Sequence, residues 1–311
     1  MNKIKLVSNQ QIGDCIKTTT VAKALHEQYP GYIIEPVMSH PCVYDNNPYV
    51  QQYLDSPTVF NASEEKEDKF VTIVCRQDDR DEDGKEVKNK YSIHKLKENQ
   101  ATFTQGLFGY INAKYGLDLK ITQEEPDLHL SEEEDLPIPE LPENYWVVNT
   151  GSEYKNTRKQ YPRKYWEKIF EALPDVTFVQ NGLTKDNHQP FPKHKNVING
   201  LDKYNIRQTM RMIKYATGVI SPISWNMHCA AAFKKPCIAL AGGGEDISWE
   251  NYKYEGFNYL HTIGSFDCCR AGGCWKDKCD HLEADGTQEC MEIIKPEVVI
   301  NLIKKYSCDG N

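Results

Sequence analysis

A chain of 311 residues with 39% hydrophobic and 26% charged residues is long enough for two ordinary domains and has a globular composition. Its formal net charge of −8 and the absence of a long basic run argue against nucleic acid as the main ligand. No run approaches the ~18 apolar residues of a membrane span, and residues 1–8 turn polar too soon for a signal peptide. A cytoplasmic protein is expected, with peripheral contact at the inner membrane left open.

Residues 4–8 predict a strand, 9–14 a loop, and 16–29 a helix with Ile16, Val21, Ala24 and Leu25 on one face. Strands at 32–37 and 70–75 and a helix at 102–115 follow. The charged stretches 61–69 and 77–89 read as solvated loops, with a lid as the sharper alternative. Three prolines in 136–144 disfavour helix and central strand alike. They divide the chain into an expected N-terminal domain, 1–137, and a C-terminal domain, 145–311. Beyond them the alternation resumes: strands at 146–149, 177–181, 218–221 and 237–241, and helices at 163–173, 206–215, 227–233 and 296–305. Strand and helix in alternation predict an α/β protein with two parallel, Rossmann-like sheets whose ligands sit beyond the strand ends.

Four places carry residues suited to chemistry. Gly13 and Asp14 fall between the first strand and first helix. Asp14 reads either as a helix cap or as a general base for an acceptor hydroxyl. Thr18 and Thr19 lie one turn further on and would add hydroxyl contacts on the acceptor side. Thr150, Gly151 and Ser152 close the first strand of the second half, and Lys159 precedes the next helix. Small residues exposing N–H groups, with a nearby cation, suit phosphate, although such turns are common.

The third place is 221–232, where a strand gives way to a helix near Asn226. Ser224, Asn226, Met227 and His228 would lie at a helix start, which favours anions. His228 reads equally as a structural histidine. Gly243 and Glu245 belong to a glycine-rich loop reaching the same edge. The fourth place is the cluster Cys268, Cys269, Cys274, Cys279 and Cys290, five of eleven cysteines. Four thiolates, Cys269 (or Cys268), Cys274, Cys279 and Cys290, can close a tetrahedral zinc or iron site of structural kind; the alternative is a loop of reduced cysteines.

The segments IGDCIKTTTVAKAL, TGS…KQYPRKYWEKI, MHCAAAFKKPCIALAGGG and CC…GGCW…C…CM…IKPE, in this order, resemble glycosyltransferase family 9, the lipopolysaccharide heptosyltransferase family. The resemblance implies a GT-B architecture, two domains facing across a cleft. It implies inverting sugar transfer without a catalytic metal or other cofactor, from a sugar-nucleotide donor, an ADP-sugar above all, to a glycan or glycolipid acceptor. It places the acceptor base on Asp14, the phosphate-contacting lysine on Lys159, a phosphate loop on Thr150 and Ser152, and the donor-phosphate site on Met227 and His228. Where the family carries Asp-Thr-Gly, this chain has Ile223-Ser224-Trp225, without the acidic donor contact. The late cysteines are similar to those of a divergent branch, in which related autotransporter heptosyltransferases hold iron. An epimerase, a sugar-nucleotide hydrolase, a protein-directed transferase and a silent sugar-nucleotide-binding protein are the alternatives.

Overall fold

The computed structural model describes residues 2–8, 10–51, 70–75, 101–151, 159–270, 274 and 279–308. The predicted loops at 61–69 and 77–89, and Ser152, lie outside them. The chain divides into two compact units, Met1–Glu133 and Glu134–Asn311.

In the first unit the described strands β1 (Asn2–Ser8), β2 (Tyr32–Met38) and β3 (Phe70–Val74) form a parallel sheet in the order β2-β1-β3. β1 is central, with Ile4 paired to Ile34 and to Val71. The helix expected at 16–29 starts earlier and is broken. Helix α1 spans Ile12–Lys17, α2 spans Thr19–Gln28, and Thr18 sits between them. Three successive threonines explain the break. Thr18, Thr19 and Thr20 each turn their hydroxyl onto the carbonyl three residues back, at 2.7, 2.6 and 2.8 Å, which competes with regular helix bonding. Helix α3 (Phe103–Tyr115) opens with a capping box from Thr102 and Gln105 and closes on Gly116 at φ 64°, the left-handed stop that glycine favours.

The second unit is a parallel sheet whose described strands are β4 (Trp146–Asn149), β5 (Phe178–Asn181), β6 (Val197–Asn199), β7 (Gly218–Pro222), β8 (Cys237–Gly242) and β9 (Phe257–His261). Their order is β6-β5-β4-β7-β8-β9. The chain starts in the middle at β4, winds outward through β5 and β6, then returns to β7 and winds outward the other way. This is the doubly wound dinucleotide-fold order, and its switch point lies between β4 and β7.

Helices α4 (Arg163–Ala172), α5 (Ile206–Tyr215), α6 (Trp225–Ala232), α7 (Glu289–Glu292) and α8 (Pro296–Cys308) surround this sheet. α4 buries Tyr165, Trp166, Ile169 and Phe170, the stripe a helix on a sheet needs. They join Trp146, Phe178, Phe191, Val299 and Ile303 in one core. The proline-rich segment is fastened to α5: Glu134 pairs with Arg207, Lys214 reaches Asp135 at 2.6 Å, and Arg211 donates to the carbonyls of Leu136 and Pro137. No helix among the described residues is long and apolar enough to cross a membrane.

Candidate functional site

Ligands of a doubly wound sheet collect outside the strand ends at the switch point, which here means the ends of β4 and β7. Asn149 closes β4, paired in register with Asn181 of β5. Thr150 follows, its hydroxyl accepting from Gln180 Nε2 at 2.7 Å. Gly151 has no room for a side chain: a Cβ there would stand 2.5 Å from His188 Cδ2 and 2.7 Å from the Asp186 carbonyl. The same ring closes off Gly182, where a Cβ would meet Cε1 at 2.3 Å. His188 is the residue that the sequence did not single out. Burial pushes its pKa down to about 4, against the opposing pull of Asp186 and Asp202, so it is neutral at pH 7.

Across the switch point, Ser224 caps α6. Its hydroxyl accepts from the Asn226 N–H at 3.3 Å and meets Ser221 Oγ at 2.8 Å. Met227 corrects its sequence assignment: it is wholly buried, and its N–H turns back to the Ser224 carbonyl at 3.2 Å, so it belongs to the core. Asn226 is equally buried, yet neither side-chain polar atom has a hydrogen-bond partner among the described residues. Such a group calls for an explanation, and a bound ligand is one. His228 is buried, with Nδ1 2.9 Å from the Tyr252 hydroxyl and Nε2 3.8 Å from Glu250 Oε2. Both partners lie in a loop that periodicity does not reveal.

Lys159 meets the glycine-rich loop. Its Nζ stands 3.2 Å from Oε1 of Glu245, whose side chain is 4% exposed against 24% for the lysine. A cation is thereby held at the rim by an acid rooted in the interior. Glu245, Asp246 and Glu250 are all buried, and the Tyr259 hydroxyl pKa is driven far upward by its own burial first and by these carboxylates second.

Behind that loop the five clustered cysteines line one small cavity of about 20 Å³, with Gly244, Phe266, His281 and Gln288 completing its wall. That volume admits one water-sized guest. Partial burial, then the thiols of Cys274 and Cys269, push the Cys268 pKa up to about 11. Cys290 is raised by burial and by Cys279, Cys269 and Cys274, with the Gly243 N–H opposing. The Cys269 thiol is already engaged, 3.6 Å from the Thr262 carbonyl and 3.3 Å from the Phe266 N–H. Among the described residues, no group of three or more His, Cys, Asp or Glu is drawn together closely enough to hold a metal ion as it stands.

In the first unit Asp14 lies inside the first turn of α1, not in a preceding loop. The N-cap position itself is held by Gln11, and Asp14 is the acid of the first turn, where it favours the helix N-terminus. Gly13 lies beside it in the same turn. Thr18 and Thr19 are corrected: both are buried, Thr18 pairs with the Tyr44 hydroxyl at 2.8 Å, and Thr19 accepts from the Asp127 N–H at 2.8 Å. Their hydroxyls serve the fold.

Residues 82–268 match the family described as glycosyltransferase family 9 (heptosyltransferase). Solved structures share the fold. The dodecameric iron-containing glycosyltransferase TibC of enterotoxigenic E. coli H10407 is 17% identical, with a TM-score of 0.66 over 100% of this chain and 77% of its own. E. coli ADP-heptose lipopolysaccharide heptosyltransferase II is 15% identical, with a TM-score of 0.58 over 98% of each chain. E. coli heptosyltransferase WaaC, solved with ADP, is 13% identical, with a TM-score of 0.58 over 98% of this chain and 99% of its own. No protein of curated function matches this sequence. The α/β class with parallel sheets, expected from the sequence, is the one these GT-B enzymes share.

Proposed function

This chain belongs to glycosyltransferase family 9, the heptosyltransferase family, and from that premise we propose that it moves a heptose or similar sugar from a nucleoside-diphosphate donor to a hydroxyl of a lipopolysaccharide-type glycan, with inversion. One observation carries the reading: a lysine, Lys159, paired with the buried carboxylate of Glu245 just beyond β8, in a unit whose strand order is that of nucleotide-binding folds. ADP is the favoured nucleotide, because WaaC was solved with ADP and TibC with ADP-D-β-D-heptose.

In the proposed step the Asp14 carboxylate takes the acceptor hydroxyl's proton as its oxygen bonds to the anomeric carbon. The bond from that carbon to the diphosphate breaks, and the leaving oxygens gather negative charge. Lys159 stabilises that charge, with Thr150, Gly151 and Ser152 lining the phosphate and the α6 start contributing its positive dipole end. Asn226, buried with no hydrogen-bond partner for its side chain among the described residues, would bond the donor. No step calls for a metal. The cysteine chamber offers the donor type for one structural iron or zinc, which Cys274, Cys279, Cys290 and one of Cys268 and Cys269 would hold once drawn together more closely than they stand. A thiolate set closed in this way would brace the loop that carries Glu245.

Calorimetry with ADP tests the donor site: binding is expected for the native protein and loss for Lys159→Ala. An absence of binding to any common nucleoside diphosphate would remove the transferase reading. Incubating the sugar nucleotide without acceptor separates transfer from hydrolysis, since a hydrolase would consume it at full rate.

A further inference from the structure

We propose that Glu245 is a positioning residue for Lys159, and that the cysteine chamber sets its place through the turn at Gly242–Gly244. This rests on the reading that Lys159 receives the donor's diphosphate.

The turn is the common wall between the sulfurs and the ion pair. β8 ends on Gly242 at φ 55°, a backbone that few side chains accept, and a Cβ there would meet Met291 Sδ at 2.3 Å. Its carbonyl accepts from the Thr262 N–H at 2.8 Å, and the Thr262 hydroxyl donates to the Cys290 carbonyl at 3.0 Å. Gly243 is held from both sides: its carbonyl accepts from the Cys274 N–H at 2.8 Å, and a Cβ on it would stand 3.0 Å from the Cys269 sulfur and 3.4 Å from the Cys290 Cβ. The space behind it is filled, since a Cβ would lie 2.7 Å from that of Cys269. Two residues on, Glu245 reaches Lys159 at 3.2 Å.

A lysine carries several free rotors and is a weak point charge until something aims it. Glu245 aims it, and a turn gripped by three cysteine-bearing segments keeps Glu245 still. Disturbing the sulfurs therefore reaches the nucleotide through one short path. Groups joined in this way lose affinity non-additively when each is altered.

The experiment is a double-mutant cycle in the full chain, read as ADP affinity by calorimetry. Glu245→Gln and Cys290→Ser are each expected to weaken ADP on the order of tenfold, with the double variant no weaker than the worse single. Glu245→Asp, which keeps the charge, is expected to bind better than the isosteric Glu245→Gln. A packing role for Glu245 predicts the reverse order and would overturn the assignment. An unchanged affinity in Cys290→Ser, or losses that simply add, would break the link to the chamber. Circular dichroism checks each variant's fold, and should Cys290→Ser not fold, Cys279→Ser, which lines the same cavity, takes its place. Lys159→Ala separates the two readings. If it abolishes binding while the cycle fails, the phosphate role stands and the positioning role falls. If it leaves binding intact, both fall.

Discussion

The imidazole of His188 occupies the space that a side chain on Gly151 would need, 2.5 Å from where its Cβ would be placed. The turn after β4 is thus closed by a ring from another loop. Gly151→Ala must displace both that ring and the Asp186 carbonyl, 2.7 Å away. Overpacking of this kind costs about 1–3 kcal/mol. A lower denaturation midpoint, with an unchanged urea m-value, is the expected outcome; a variant as stable as the native chain would contradict the packing described.

The same ring predicts an acid response. Its folded pKa, about 4, lies below the ordinary 6.5, so the unfolded chain binds the proton more readily. The stability contributed by neutral His188 is fully present above pH 6.5 and is lost as pH falls towards 4. The loss is on the order of 3 kcal/mol. Urea unfolding at stepped pH should show that slope, and His188→Gln should flatten it.

Asp14→Asn removes a base without removing a hydrogen-bonding group of similar shape. ADP affinity should stay within about twofold, while sugar transfer falls by 10²-fold or more, the scale of general-base catalysis. Transfer that persists at the native rate would assign the proton to another group.

Asn205 caps α5 and is bonded reciprocally to Gln208, at 2.8 and 2.9 Å. Asn205→Ala should cost about 1 kcal/mol, read as a fall in thermal midpoint.

Elemental analysis of protein purified without a metal-affinity step should find close to one iron or zinc per chain. Freely titratable native cysteines, with no metal, would argue for the reduced-loop alternative.

The sequence made the central strands plain because β4, β5, β7 and β8 are buried along their whole length. The sheet's two edges were not legible. β6 is three residues long and partly exposed, and β9 mixes Asn and His with its aromatics, so neither shows the apolar run or alternation that marks a strand. Lys159 and Glu245 could each be picked out by local context, but their pairing could not, because it depends on how β8 turns. The threonine run misled for a related reason: its hydroxyls look available in a string of letters and prove to be bonded inward once Thr18 breaks the helix. Gly151 was read for the N–H groups it exposes; its steric need for His188 overhead is a tertiary fact. The family match ends at Cys268, so Cys269, Cys274, Cys279 and Cys290 rest on their own chemistry and on the likeness of the late segment to a divergent branch of the family.

The bonds that fasten Glu134, Asp135, Leu136 and Pro137 to α5 have a practical consequence for dissecting the chain. Cutting it at the last proline would strip Arg207, Arg211 and Lys214 of these contacts and leave a polar scar along one helix. A separately produced second half should begin no later than Glu134.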